Sequence, residues 1–221
     1  MSHEPRKPTG EIGPISFGPT SAEVSFSPIA FPSTKAEIER FIASPFVGNA
    51  LHKKRFLFDT VYSLHQNPTD DFDFTLVTDR GTKYLELIEL HLREVGDELT
   101  SGQFVYKPYD VAELAYEKVM AKSRRYRGAT PNGIILLTYV THWQFCLSNP
   151  VFWLLAFKMK QAPPIFEQVF HFSWQDSKTF EFFLLHPTER DFTDFNPEVY
   201  RDNRTTIFNP RGWQLLSEPV S

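Results

Sequence analysis

Two segments in the middle of the chain have strand-like patterns of hydrophobic and polar residues. They span residues 72–78 and 83–91, and the intervening Asp79-Arg-Gly-Thr82 has the composition of a tight turn. We expect an antiparallel hairpin in which Asp79 pairs with Thr82. In that register Thr75 lies opposite Glu86.

A continuous apolar run at residues 133–141 contains several β-branched residues, which is typical of a strand buried on both faces in the middle of a sheet. Residues 166–174 and 179–185 alternate well enough to form a second hairpin, with its turn at Asp176-Ser177. Residues 103–107 either extend the sheet or form a loop.

Apolar residues begin to recur with the spacing of an α-helix just after residue 33. The apolar residues that recur with this spacing are Ile38, Phe41 and Ile42. Ser33 or Thr34 can cap the helix, Pro45 is expected to end it, and a second helical stretch is expected at 47–63.

Two further helices are predicted in the second half of the chain. Asp110-Val-Ala-Glu113 is a variant of the capping box and opens a helix that runs through Arg125. Residues 150–160 predict another helix. Together these elements predict an α/β fold with a mixed central β-sheet flanked by helices.

The proline-rich residues 1–33 are expected to form an extended N-terminal arm or edge strands, with short apolar patches at 15–17 and 22–26. Residues 34–221 are expected to form a single α/β domain, because a chain of 221 residues that is 41% hydrophobic can bury one large core.

Composition excludes several classes of protein. Cys146 is the only cysteine, so an intrachain disulfide and a four-thiolate zinc site are both excluded. The seven histidines lack zinc-ligand spacing, and the chain contains no GxSxG, P-loop or GxGxxG motif. Without a signal-peptide segment or an apolar run long enough to cross a bilayer, we expect a cytoplasmic protein with no membrane contact.

The net charge of −4 argues against a protein that coats nucleic acid non-specifically, but it allows a local basic groove. Five cationic residues fall within ten positions around the end of the predicted basic helix: Lys118, Lys122, Arg124, Arg125 and Arg127. They form either a nucleic-acid-binding surface or a solvated helix face.

Asp73 and Glu86 carry the candidate chemistry. In the predicted register Asp73 lies opposite Ile88 and diagonally from Glu86, so the two acids share one face of the hairpin. Two carboxylates, completed by water and a substrate phosphate, are a usual binding site for Mg²⁺, and Mn²⁺ can take its place. The alternative is an exposed pair of strand residues without a ligand.

The order of elements carries a resemblance to a known family. A helix is followed by an Asp-bearing strand, a tight turn, the Glu-bearing strand Tyr84-Leu-Glu86-Leu-Ile, a basic helix and a buried strand. This order resembles the PD-(D/E)xK nuclease superfamily over approximately residues 36–141. The resemblance implies a restriction-endonuclease-like core, with Asp73 as the first acid and Glu86 as the second.

The family's lysine is expected two residues after the second acid, where this chain has Ile88. Lys122 on the basic helix is the preferred substitute, with a catalytic role in orienting the attacking water, while Arg125 positions phosphate. Glu37 or Glu39 on the first helix either adds an outer metal contact or lies on the surface near the helix N-terminus.

The resemblance implies a metal-dependent nuclease that acts on DNA, with RNA as the other candidate substrate and Mg²⁺ or Mn²⁺ as cofactor. Lys118, Arg124, Arg125 and Arg127 are the expected nucleic-acid-binding residues, and a homodimer would suit a duplex cutter. Two alternatives remain open. One is a catalytically inactive nuclease-fold module that binds nucleic acid or a protein, and the other is an unrelated α/β protein.

Overall fold

A computed structural model describes residues 15–17, 24–26, 29–68, 72–91, 96–100, 103–126, 133–174 and 180–208. The helices in these residues are α1 (Lys35–His52), α2 (Pro108–Arg125) and α3 (Asn149–Gln161). The strands are β1 (Ile15–Phe17), β2 (Val24–Phe26), β3 (Val61–Gln66), β4 (Phe74–Thr78), β5 (Gly81–Glu89), β6 (Gly96–Thr100), β7 (Gln103–Tyr106), β8 (Ile134–Tyr139), β9 (Gln168–Trp174), β10 (Phe180–His186) and β11 (Thr205–Phe208).

Six strands form a mixed sheet in the order β10-β9-β8-β5-β4-β3. Strands β5, β8 and β9 run parallel to one another, and the outer pairs are antiparallel. On one face Phe46 of α1 packs against Phe170 of β9, and on the other Phe152 of α3 packs against the adjacent His171. Because α2 packs beside α3, helices cover both faces, and the predicted mixed α/β architecture is confirmed.

Two smaller sheets accompany the central one. Strands β1 and β2 form an antiparallel pair at the two apolar patches of the N-terminal region. Strands β11, β7 and β6 form a three-stranded antiparallel sheet. Residues 103–107 therefore contribute a strand, but it belongs to this separate sheet. Among the described helices, none combines the length and apolar character needed to span a bilayer.

Strand β8 lies inside the central sheet between two parallel neighbours, as its continuous apolar run predicts. All six of its residues are buried. Helix α3 and the antiparallel pairing of β9 with β10 are also confirmed. The predicted turn at Asp176-Ser177 lies outside the described residues.

The hairpin of β4 and β5 is present, but its register differs from the prediction by two residues. Thr78 pairs with Gly81, and Thr75 pairs with Tyr84. The predicted pairing of Thr75 with Glu86 is therefore wrong. Because the difference is an even number of residues, every side chain keeps the predicted face of the sheet.

The turn between these strands explains the difference. It contains only Asp79 and Arg80, because Gly81 already belongs to the ladder, where it adopts a φ of 91° that glycine tolerates without strain. The carboxylate of Asp79 leaves the ladder to accept hydrogen bonds at 3.0–3.2 Å from the backbone N–H groups of residues 59–60. The predicted pairing of Asp79 with Thr82 is therefore wrong as well.

Helix α1 does not end at Pro45 but continues to His52. Its C-terminal half buries three residues in the core: Phe46, Val47 and Ala50. Their burial compensates for the hydrogen bond that an interior proline removes, and the Asn49 side chain donates to the Pro45 carbonyl at 3.2 Å. The separate helix predicted at 47–63 is wrong, because its first part completes α1 and its last residues enter β3.

Local capping was predicted correctly for α1 and incorrectly for α2. Thr34 and Glu37 form a reciprocal capping box at the start of α1. Helix α2 begins at Pro108, before the predicted Asp110, and its N-cap Lys107 makes no side-chain cap bond. Proline is well suited to the first turn because its missing N–H would have no helical partner there. The capping box predicted at Asp110 is therefore wrong.

We expect Phe46→Ala to lower the free energy of unfolding by about 3–5 kcal/mol, because it empties a core position that is 0% exposed. The ring of Phe46 contacts three others, with centroid distances of 5.1–5.6 Å, in Phe56, Phe170 and Phe182. Urea denaturation measures the change. Val199→Ala, at a residue that is 58% exposed, is the control and should change stability by no more than about 0.5 kcal/mol.

Candidate functional site

Asp73 lies immediately before β4 and meets Glu86 of β5. Because Phe74 pairs with Leu85, the preceding Asp73 is opposite Glu86. The backbone N–H of Asp73 donates to Glu86 Oε2 at 3.3 Å, and Asp73 Oδ2 accepts from the backbone N–H of Leu87 at 2.7 Å. These two reciprocal hydrogen bonds fix the orientation of both carboxylates and hold them close together.

The observed register makes the two acids direct neighbours. The predicted register placed Asp73 opposite Ile88 and only diagonal to Glu86, so that pairing is wrong, while the shared face is retained. Ile88 is partly buried against the hydrophobic core, and its position provides no cation.

The backbone around Asp73 is held by Asn67, which follows β3. The N–H of Asn67 donates to the carbonyl of Asp73 at 2.9 Å, and its side-chain Nδ2 donates to the carbonyl of Phe72 at 2.9 Å. Asn67 Oδ1 accepts from the hydroxyl of Thr75 at 3.0 Å. One side chain therefore anchors the chain on both sides of Asp73.

Lys122, near the end of α2, forms an ion pair with Glu86 Oε1. Tyr126, just after the helix, also hydrogen-bonds to Glu86. The side chain of Glu86 is 3% exposed and that of Lys122 is 19% exposed, so water screens their attraction only weakly. The structure therefore brings together the three residues predicted to be catalytic: Asp73, Glu86 and Lys122.

The basic residues predicted to bind nucleic acid do not form one surface. Arg125 lines the cleft beside Lys122, whereas Lys118 and Arg124 line a separate shallow depression on α2. Residues two positions apart on a helix point in different directions, which separates Arg124 from Lys122. Arg127 lies outside the described residues.

The carboxylate pair opens into a cleft of about 600 Å³ between the N-terminal part of α1 and the end of α2. Its carboxylates are Glu39, Asp73 and Glu86, and its cationic residues are Lys35, Arg40, Lys122 and Arg125. Cations outnumber carboxylates here, although the whole chain carries a net charge of −4. The cleft is therefore suited to an anionic ligand.

The two glutamates considered on α1 have different roles. Glu37 belongs to the capping box with Thr34. Glu39 is 6% exposed, lines the cleft and pairs with Lys35 at 3.2 Å. Of the two candidates for an outer metal contact, only Glu39 faces the cleft.

Two of the glutamates in the cleft, Glu86 and Glu39, have raised pKa values. Burial and the nearby charge of Asp73 raise the pKa of Glu86, although the hydrogen bonds and charge of Lys122 oppose the change. Burial and Asp73 also raise the pKa of Glu39 against the opposing effect of Lys35. A nearby cation stabilises the ionised form of carboxylates that repel one another in this way.

Three aromatic rings support the acids from one side. Phe72 stacks on Tyr84 with a centroid distance of 4.3 Å and on Tyr126 at 5.1 Å. Phe72 precedes Asp73, Tyr84 is two residues before Glu86 on the same strand face, and Tyr126 bonds to Glu86. The stack therefore connects the segments that carry both carboxylates to the end of α2.

Several residues of the cleft were not identified from the sequence: Lys35, Arg40, Gln66 and Asn67. The helical spacing of Lys35 and Glu39, four residues apart, was a signal for an ion pair on α1. Gln66 and Asn67 were missed because strand β3 was not predicted, its first residues, 61–63, having been assigned to a helix. The β-branched and aromatic pair at 61–62 was the signal for a strand there.

In the part of the chain that the structure describes, Cys146, His171 and His142 do not form a second reactive group outside the cleft. Burial lowers the pKa of His171 to about 3, so this imidazole is neutral and bonds to Thr138 at 3.0 Å. Burial raises the pKa of the Cys146 thiol to about 12, which keeps it protonated and unreactive. His142 accepts a hydrogen bond from the backbone of Gln144 at 3.3 Å.

Within the described ranges, no three or more His, Cys, Asp or Glu side chains gather into a metal-binding group. The candidate site therefore offers two carboxylates, with Glu39 nearby. No protein-family model matches the chain, and no similar protein was found among curated proteins or solved structures. Function is therefore inferred from the geometry and charge of the cleft.

Substitution of Asp73 and substitution of Lys122, two charged neighbours of Glu86, should shift the pKa of Glu86 in opposite directions. Asp73→Asn removes a like charge and keeps an acceptor for Leu87, so the pKa of Glu86 should fall. Lys122→Met removes the attraction that favours the ionised form, so the same pKa should rise. Carboxyl ¹³C NMR titrations in a metal-free buffer measure both shifts. Shifts of the same sign in the two variants would contradict the described contacts.

Proposed function

We propose that this protein is a metal-dependent phosphodiesterase of the PD-(D/E)xK type that cleaves DNA. One observation supports the proposal above the others: Asp73 and Glu86 meet beside Lys122 in a cleft where cationic side chains predominate. Carboxylates that attract a metal ion, next to cations that attract a phosphodiester, are what metal-dependent phosphodiester hydrolysis requires.

The residues present fit a Mg²⁺ or Mn²⁺ ion. Asp73 and Glu86 would hold it, because hard divalent ions prefer carboxylate oxygens and keep several water ligands, so that two protein carboxylates suffice. The ammonium group already paired with Glu86 shows that this position attracts a cation. When bound, the ion supplies Lewis-acid stabilisation of charge on the phosphodiester and activation of water.

The side chains around the acids have separate roles. Backbone N–H groups hold one oxygen of each carboxylate, so the acids are oriented before any ligand arrives. Lys122, which contacts Glu86, would orient the attacking water in place of the lysine that Ile88 does not provide. Arg125, exposed at the rim, contacts a substrate phosphate.

A second function is favoured by two specific observations. The Lys122 ammonium neutralises Glu86, and Ile88 occupies the position of the family lysine. Both features suit a catalytically inactive nuclease-fold module whose cationic cleft binds nucleic acid or a protein partner. Cleavage assays separate this function from the nuclease.

We place the activity in the cytoplasm, because the single Cys146 suits a reducing compartment. A homodimer would allow each subunit to cut one strand of a duplex.

Isosteric changes of the two acids should abolish cleavage. With Mg²⁺ or Mn²⁺ present, Asp73→Asn and Glu86→Gln should each lower kcat at least about 100-fold on DNA, and Lys122→Met should lower it by a similar factor. Cleavage of labelled single-stranded DNA, double-stranded DNA and RNA, separated on denaturing gels, measures the effect and identifies the substrate.

Matched controls are available on the neighbouring helices. Glu117→Gln on α2 and Lys160→Met on α3 change the same charges at exposed positions outside the cleft, and both variants should cut like the wild type. Wild-type protein that binds nucleic acid in a salt-sensitive way without cutting it would support the inactive module. A wild type that neither cuts nor binds nucleic acid would exclude the nuclease and would leave, of the second function, only a module that binds a protein partner.

Metal binding provides a readout that is independent of cleavage. Asp73→Asn and Glu86→Gln should each weaken Mn²⁺ binding at least about tenfold, because each removes one of two carboxylates. Lys122→Met should strengthen it, because the ammonium competes with the ion for Glu86 Oε1. Isothermal titration calorimetry measures the Mn²⁺ affinity of the wild type and of the three variants. Equal affinity in the wild type and all three variants would exclude this metal site.

A further inference from the structure

A second cavity of about 450 Å³ adjoins the candidate active-site cleft. It lies along α1 and the edge strand β3, and its lining residues are Arg40, Ser44, Leu64, His65, Gln66 and Phe74. Arg40 and Gln66 line both cavities. The two spaces are therefore parts of one groove that is divided at these two side chains.

The guanidinium of Arg40 is held in place at this junction. Arg40 Nε donates to Gln66 Oε1 at 3.1 Å, and Gln66 Nε2 donates to the carbonyl of Ala36 at 2.8 Å. These bonds use only one of the five N–H groups of Arg40. An exposed arginine that is oriented in this way loses less freedom when it binds an anion.

The second cavity differs chemically from the first. Its described lining includes no carboxylate, whereas the cleft has three. The side chains of three of its polar lining residues, Arg40, Ser44 and Gln66, can donate hydrogen bonds. The half-buried Leu64 adds apolar surface. Donors around an apolar surface suit a phosphate joined to a nucleoside, and the volume is that of a small-ligand pocket.

We infer that the second cavity binds the nucleotide next to the scissile phosphate, with Arg40 contacting that nucleotide's phosphate. The inference rests on the proposed nuclease function, and it sets the course of the substrate strand along α1, from the cleft towards Ser44. Arg40 is thus a substrate-binding residue, while Asp73, Glu86 and Lys122 act on the scissile bond.

Binding of a fluorescein-labelled single-stranded oligodeoxynucleotide, measured by anisotropy in EDTA so that no cleavage occurs, tests the inference. Arg40→Gln should weaken binding about tenfold or more, because a charge-assisted hydrogen bond is lost. The slope of log K against log salt should fall in magnitude by about 0.7, the value for one phosphate contact on a single strand. Arg204→Gln, at an exposed arginine that lines neither cavity, should leave both quantities unchanged.

A second variant tests the inference independently, so that the result does not depend on correct folding of Arg40→Gln. Ser44 is exposed on α1, so Ser44→Asp should fold normally, which circular dichroism verifies, while its charge repels a phosphate in the second cavity. Binding should weaken in this variant as well. Wild-type affinity and an unchanged salt slope in both variants would overturn the inference.

Cleavage kinetics distinguish failure of this inference from failure of the proposed function. With metal present, Arg40→Gln should raise KM and leave kcat nearly unchanged, because Arg40 binds substrate and transition state equally. A wild type that cuts DNA, together with an Arg40→Gln variant of unchanged KM, would exclude the second cavity and retain the nuclease. A wild type that neither cuts nor binds DNA would exclude both.

Discussion

Glu86 is a carboxylate that is only 2% exposed, and leaving such a group ionised inside a protein costs several kcal/mol unless partners compensate. Its partners come from three separate segments: the backbone of Asp73, the ammonium of Lys122 and the hydroxyl of Tyr126. Because these partners compensate for the buried charge of Glu86, the loop before β4 and the end of α2 pack against strand β5. The cleft exists where these segments converge.

The charges of the cleft connect this structural requirement to function. Three carboxylates share a small space with four cationic side chains, so a divalent cation and a phosphodiester can each find complementary groups there. The ammonium of Lys122 contacts one oxygen of Glu86 in this cleft. This ion pair is compatible with both proposed functions, the nuclease and the inactive binding module, which would differ in whether a metal ion displaces the ammonium.

Much of the central sheet was predictable because its signals are local. The apolar run of β8, the hairpin of β4 and β5 and the capping of α1 by Thr34 depend on neighbours in sequence. Predictions were wrong where tertiary contacts outweighed local preference. Pro45 is accommodated because the residues after it are buried, and the hairpin register follows from the turn at Gly81 and from the hydrogen bonds that Asp79 makes with a distant loop.

The sequence by itself determined that Asp73 and Glu86 lie on one face of a hairpin, because strand side chains alternate and an error of two residues in register leaves the face unchanged. The resemblance in the order of elements also predicted that Lys122 accompanies the two acids, and Lys122 pairs with Glu86. Only the tertiary structure decided that Arg125 lines the cleft while Lys118 and Arg124 do not, and that Lys35, Glu39 and Arg40 line it too. Which residues line the cleft depends on how α1 and α2 pack around the end of the sheet. Such packing is set by contacts between residues that are distant in the chain.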